Sequence, residues 1–437
     1  MHPTGCLYIN GLDKTGLWIL YLAATRPRSI EIQLLYVAVI IIGFGRAGRI
    51  ISLKEFLADQ LRKDGSCEDE KQVESRRKAL WRFAYVVGIF ASLVIYSKSS
   101  WIQLCKISGI AMGASFILLL AGFAFWEINK PVNSSSLNNL LRVFYAAIVK
   151  RHLSNFSSDS ISLRWLDKAA IVEPSLSLEE QVRRLRLCTV EQVEEAKSLV
   201  NTIPLCTTFL VYGLLQATGN TFFFEQANYT DNHLGHISNV PVIIFVIIKT
   251  FTGFTVSWLC DLLFQKFWGE NTPRLVQLVR VGTGMLFSPL CCLVACVVEV
   301  YRVHKYMDYN ISISFLFLVP QFFLLGLMEG LVFDGLEEIY SSLVPASLNK
   351  YGPSFAEFAL GIGHFLGLIS VLIFHNLFKD DLDISRLGVY YRNLGFVCLG
   401  NLFLYFCIVP YYLKQPPSAA PVVDDQFQSL EESYATN

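Results

Sequence analysis

Six stretches of this 437-residue chain run without a single Asp, Glu, Lys or Arg: residues 107–126, 198–224, 281–298, 309–328, 358–378 and 393–413. Each is close to the roughly 20 residues that an α-helix needs to cross a bilayer. Lipid offers no partner to backbone N–H and C=O groups, so spans of this kind are helical. Four weaker segments add to them. Residues 237–260 are interrupted by Lys249, 83–97 extend through Arg82, 32–45 run into Arg46 and Arg49, and 15–25 are too short alone. The expectation is an all-α integral membrane protein of about ten transmembrane helices, the first of them incomplete. Composition agrees: 53% of residues are hydrophobic and 16% charged, against roughly 25% charged in a soluble domain. The 36 basic and 36 acidic residues cancel, which removes the electrostatic basis for a nucleic-acid partner.

With ten spans both termini share a side. The excess of Lys and Arg on that side makes it the cytosolic one. The sequons Asn228-Tyr229-Thr230 and Asn310-Ile311-Ser312 then fall outside, whereas those at Asn133 and Asn155 fall inside. The cysteines are scattered through the spans without a C-x-x-C pair or metal-ligand spacing and read as packing residues. Asp13 and Lys14 break the N-terminal apolar run, so it makes a poor signal peptide. No P-loop, G-x-S-x-G or H-E-x-x-H pattern occurs, so an enzyme with membrane anchors has no motif behind it.

Residues 127–200 form the one long polar stretch. The chain therefore divides into an incomplete N-terminal bundle of about four helices (1–126), a cytosolic linker (127–200), a C-terminal six-helix bundle (201–414) and a polar tail (415–437) expected to be disordered. Lys54 to Arg82 reads as a charged cytosolic hairpin.

Several motifs carry a resemblance. Arg164-Trp165-Leu166-Asp167-Lys168-Ala169-Ala170-Ile171 and Cys188-Thr189-Val190-Glu191-Gln192-Val193-Glu194-Glu195 with Lys197 lie in the linker. Ala58-Asp59-Gln60, Pro320-Gln321-Phe322-Phe323-Leu324 with Gly326, Glu329 and Glu338, and Leu360-Gly361-Ile362-Gly363 with Phe365-Leu366 lie elsewhere. Together they resemble the plant nitrate/peptide transporters of the proton-coupled oligopeptide transporter group. The resemblance implies a major facilitator-type helical bundle that takes up nitrate, short peptides or other small solutes with protons by alternating access. In the family's register the chain would begin inside family helix three, which implies that the first two family helices are absent.

Ionisable groups inside spans are costly unless paired or hydrated, so they mark solute and proton pathways. Glu329 matches the family's helix-ten glutamate, to which the resemblance gives a substrate or proton role; a carboxylate that only fixes packing is the structural alternative. Lys249, mid-span, calls for a carboxylate, with Glu329 as the candidate partner; snorkelling to water is the alternative. Arg49 lies in Gly43-Phe44-Gly45-Arg46-Ala47-Gly48-Arg49-Ile50, where the family's lysine position is Ile50; it either reaches the same cavity or faces cytosolic headgroups. Gln216 and Asn220 share one helical face, either as a solute-binding stripe or as helix-helix glue. Phe222, Phe223 and Phe224 are expected to form an aromatic wall, and His364 is a titratable or packing group. Asp334 stands where the family usually has an apolar residue. No cofactor or metal is implied.

Two functions stay open on this reading. One is a secondary transporter whose partners are protons, a small solute and the bilayer, in the plasma or vacuolar membrane. The other is a truncated, transport-inactive or regulatory relative. With ten spans, polar surface would face lipid unless a second copy of the chain or a partner covers it.

Overall fold

The computed structural model describes residues 15–25, 28–63, 70–96, 99–122, 136–151, 163–172, 178–231, 233, 244–268, 274–344, 352–378 and 385–414. The chain forms two compact units, Met1–Asn133 and Ser134–Asn437. Among the described residues the architecture is helical, with one isolated bridge between Asp231 and Ser314.

The N-terminal unit contains α1 (Thr15–Ala24), α2 (Arg28–Lys63), α3 (Glu70–Tyr96) and α4 (Trp101–Gly122). Small residues set its contacts, as expected where lipid replaces water and close packing drives association. Gly16 sits against Ile42 and Gly109 against the Trp18 ring. The charged hairpin expected at 54–82 consists largely of the continuing ends of α2 and α3.

The C-terminal unit opens with α5 (Ser136–Val149), a helical turn Arg164–Asp167 and a 3-10 turn Lys168–Ala170. The long α6 (Val190–Gly219) and short α7 (Phe222–Asn228) follow. Then come α8 (Ile244–Trp268), α9 (Arg274–Tyr309), α10 (Val319–Leu343), α11 (Gly352–Ile373) and α12 (Leu387–Lys414). Among the described residues six helical segments are long and apolar enough to cross a membrane, and all lie in this unit. The apolar helical stretches of the N-terminal unit are shorter, such as Ile102–Leu118. Helix α9 packs against α10 and α12, α8 against α10, and α6 against α11.

The two linker motifs prove to be one docked element. Thr189 caps α6 reciprocally: the Gln192 N–H donates to Thr189 Oγ1 at 3.1 Å, and the Thr189 N–H donates to Gln192 Oε1 at 3.2 Å. Leu166 and Ala169 of the first motif are buried with Cys188, Val193 and Ala196 of the second and with Val143, Ala146 and Ala147 of α5. Lys197 pairs with Asp167. The buried Lys150 donates to the carbonyls of Ala169 (3.4 Å) and Ile171 (2.5 Å). The segment expected as a linker is thus packed onto the first turns of α6 in its described parts. The tail 415–437 lies outside the described residues.

Charge-free runs misplace some helix ends. α9 runs through Glu299 and Arg302 to Tyr309, and α10 starts only at Val319, after a 3-10 turn Phe315–Leu318. Both charges are buried, so the helix had no reason to stop at them.

Candidate functional site

Two backbone-to-backbone crossings position the polar residues of the spans. Gly326 and Gly330 of α10 face the backbone of Lys249 and Gly253 on α8, so closely that a Cβ on either α10 glycine would overlap a carbonyl oxygen. Gly363 of α11 is held in the same way against Leu210 and Gly213 of α6. Only glycine permits such approach. Its result is that side chains from four helices meet beside these crossings.

Lys249 Nζ lies 3.2 Å from Glu329 Oε1 and donates to Asn220 Oδ1 at 2.6 Å. Gln216 Nε2 donates to the same Glu329 oxygen at 3.0 Å. His364 Nε2 is 3.1 Å from Gln216 Oε1. Four of the five residues singled out from sequence, Glu329, Lys249, Gln216 and Asn220, are therefore joined in one chain of polar contacts, and His364 extends it. The Lys249 and Glu329 side chains keep 15% and 21% of their surface, while Asn220 and His364 are exposed within this unit. The pair is thus not sealed off by the side chains around it. One helical turn before Gln216 stands Tyr212, buried, whose hydroxyl has no hydrogen-bond partner among the described residues. Arg49 lies within α2, but its side chain is outside the described residues, as is that of Ile50.

The aromatic residues behave differently from expectation. Phe223 is fully buried, edge-on to Phe322 and Tyr391; Phe222 stacks on Phe378 with centroids 5.0 Å apart; Phe224 packs on Phe322. They belong to the core rather than to a wall around the site, because Phe322 and Tyr391 supply aromatic partners that a single helix cannot reveal.

Two ion networks went unrecognised in the sequence. Arg280 stands at the edge of the charge-free run 281–298, where a loop would be expected, yet it is buried in α9. It lies 3.5 Å from Asp261, 3.7 Å from Asp334 and 3.7 Å from Glu338, and donates to the Gly330 carbonyl at 3.1 Å. Ser257 donates to Asp334. Asp334 thereby finds its place: it is one of three carboxylates around a single guanidinium, and the carbonyl that this guanidinium also bonds belongs to Gly330, the residue after Glu329. The second network is fully buried. Arg302 holds Glu299 with two bonds of 2.9 Å; Gln226 donates to Glu299 at 2.8 Å, and Gln321 to Gln226 at 3.1 Å. The i, i+3 spacing of Glu299 and Arg302 was the available signal.

Comparison with known proteins agrees with this architecture. The model of the POT family (PTR2) matches residues 7–382. Protein NRT1/PTR family 5.6 of Arabidopsis thaliana is 28% identical over 434 residues, covering 89% of this chain and 74% of the relative. Protein NRT1/PTR family 5.7 of the same plant is also 28% identical, covering 94% and 75%. An auto-inhibited POT family peptide transporter of known structure shares the fold at a TM-score of 0.67 and 14% identity, with 96% of this chain and 84% of that one covered. The chain is an all-α, multi-pass membrane protein of the major facilitator type and belongs to the POT family of transporters.

Proposed function

We propose that this protein is a secondary transporter that takes up small polar solutes, nitrate and short peptides among them, together with protons by alternating access, with Glu329, Lys249, Gln216 and Asn220 as its solute and proton contacts in the C-terminal unit. The observation that carries the reading is the continuous polar chain His364–Gln216–Glu329–Lys249–Asn220 among otherwise apolar spans. A carboxylate and an ammonium retained at such a depth are maintained against a solvation cost, which favours function over packing. Glu329 supplies a carboxylate to accept a proton or a solute N–H. Lys249 and Asn220 supply donors for a solute anion, and the Tyr212 hydroxyl is one donor more. Arg49 remains a candidate contact from the N-terminal unit.

The family's solved members include a complex with alafosfalin and one with 5-aminolevulinic acid; both solutes are small and polar, as this constellation favours. None of the comparisons favours the transport-inactive alternative. The excess of Lys and Arg on one side supports cytosolic termini. The deciding test is uptake of nitrate and labelled dipeptides in oocytes or proteoliposomes at acid and neutral pH, comparing the chain with Glu329→Gln. Acid-stimulated uptake that the variant loses supports the reading. Absence of uptake from well-expressed, inserted protein, across a panel of small solutes, overturns it.

A further inference from the structure

We propose that Asn310 is an N-glycosylation site on the outer face of the C-terminal unit, and that the neighbouring sequon at Asn228 is not. The two acceptor tripeptides lie close together at the same end of this unit. Asp231, just past the first, forms a bridge with Ser314, just past the second: the Asp231 N–H donates to the Ile313 carbonyl at 2.8 Å, and the Phe315 N–H to the Asp231 carbonyl at 3.1 Å. Their surroundings differ sharply.

Helix α9 is far longer than a bilayer needs. Its charge-free stretch 281–298 rises ~27 Å at 1.5 Å per residue and fills the hydrocarbon layer, so Glu299–Tyr309 stands about 16 Å beyond it. The buried Glu299–Arg302 pair and the His304–Asp308 contact of 2.9 Å lie in this projecting part. Asn310 caps its far end in the left-handed conformation (φ 52), its N–H donating to the Tyr306 carbonyl at 2.9 Å. Asparagine tolerates that conformation better than other side chains. Asn310, Ile311 and Ser312 are all exposed in succession. At the other sequon, Gln226 bonds Glu299 and the Arg302 guanidinium lies 5.6 Å from the Tyr229 ring centroid, so Asn228 stands level with the root of the projecting part of α9 and not with its tip. The Asn228 amide donates to Glu225 at 3.3 Å, and the buried Thr230 hydroxyl is spent on the Ala227 carbonyl at 2.7 Å. A membrane-embedded transferase can reach an acceptor held well clear of the bilayer and cannot reach one at its surface. A bulky glycan and its transferase also need the whole tripeptide open, as it is at Asn310; at the other sequon Asn228 is exposed but Thr230 is buried.

The donor is an oligosaccharide carried on a lipid diphosphate. Its anomeric C–O bond breaks, the lipid diphosphate leaves with the bonding pair, the anomeric carbon joins Asn310 Nδ2, and the amide proton passes to the transferase base. The proposal rests on the orientation adopted above, with this end of the unit facing away from the cytosol.

The test is gel mobility of the full-length protein from eukaryotic cells, with and without peptide N-glycosidase. The native chain should carry one removable glycan. Asn310→Gln and Ser312→Ala should abolish it, the second without touching the left-handed residue, while Ser312→Thr and Asn228→Gln keep it. A shift that Asn228→Gln removes and Ser312→Ala leaves, or no shift at all, overturns the proposal. Orientation is read separately in sealed microsomes by an impermeant maleimide on His304→Cys. Labelling above the unsubstituted background only after the vesicles are opened upholds the orientation even if no sugar is found; labelling of sealed vesicles overturns both.

Discussion

Glu329 Oε1 receives two donors, Lys249 and Gln216, so its charge is balanced by named groups that can be removed singly. Hydrogen bonds to charged groups contribute about 1.5–3 kcal/mol, and water at this partly exposed pair brings the figure toward the lower end. Glu329→Gln and Lys249→Ala should each lower acid-stimulated uptake by about tenfold or more, one decade corresponding to about 1.4 kcal/mol. The exchanged double variant Lys249→Glu with Glu329→Lys should recover part of that loss in the same assay. Failure to recover any would separate the pair from transport. Tyr212→Phe discriminates more finely. Its hydroxyl has no partner among the described residues, so the thermal midpoint of the purified variant should stay unchanged, while the KM for a bound solute should rise. Glu329, Lys249, Gln216 and Asn220 were legible in the sequence because a charge, or a polar pair at i, i+4, stands out inside an apolar run. Arg280, Glu299 and Arg302 were not, because each falls at the edge of such a run, where a charge also signals a loop. Only their tertiary partners distinguish the two cases.

At the scale of helices, glycine decides who touches whom. Gly330→Ala would place a methyl on the Gly253 carbonyl and force α8 from α10. Overpacking of this kind costs about 1–3 kcal/mol, so this variant should lose monodispersity in detergent chromatography and lower the unfolding temperature. Gly361→Ala on α11 meets nothing within 4 Å. It should be neutral or stabilising by up to about 1 kcal/mol, the helix-propensity gap between the two residues. Equal damage from both substitutions would show that the crossing has no special role. Helix existence was readable from the length of charge-free runs, but helix ends were not. α9 continues past Glu299 because that carboxylate is satisfied by Arg302 and Gln226, and α10 is delayed by the 3-10 turn before Pro320. The linker motifs read as a family signature, whereas their physical content, a capping box, a buried cluster shared with α5 and two carbonyls that receive the buried Lys150, required the fold.

For the molecule as a whole, the buried Gln321–Gln226–Glu299–Arg302 network ties α7, α9 and α10 into one body. Removing one partner of a buried pair strands the other charge, at about 3–5 kcal/mol. Glu299→Gln should therefore unfold markedly earlier in a thermal scan, whereas Glu299→Leu combined with Arg302→Leu should lie closer to the native chain. The opposite order would contradict the role given to this pair. The six long apolar segments of the C-terminal unit were visible in the spacing of apolar runs. The strength with which they are bonded to one another was not, since it depends on contacts across dozens of residues. That internal bonding bears on the Lys249–Glu329 pair. Both partners belong to the same unit, on helices whose backbones touch at Gly326 and Gly330. A rigid displacement of one unit against the other leaves the pair together. Under the proposed function it is a competing proton or solute that parts the two side chains, so the lock opens to a chemical key and not to a mechanical one.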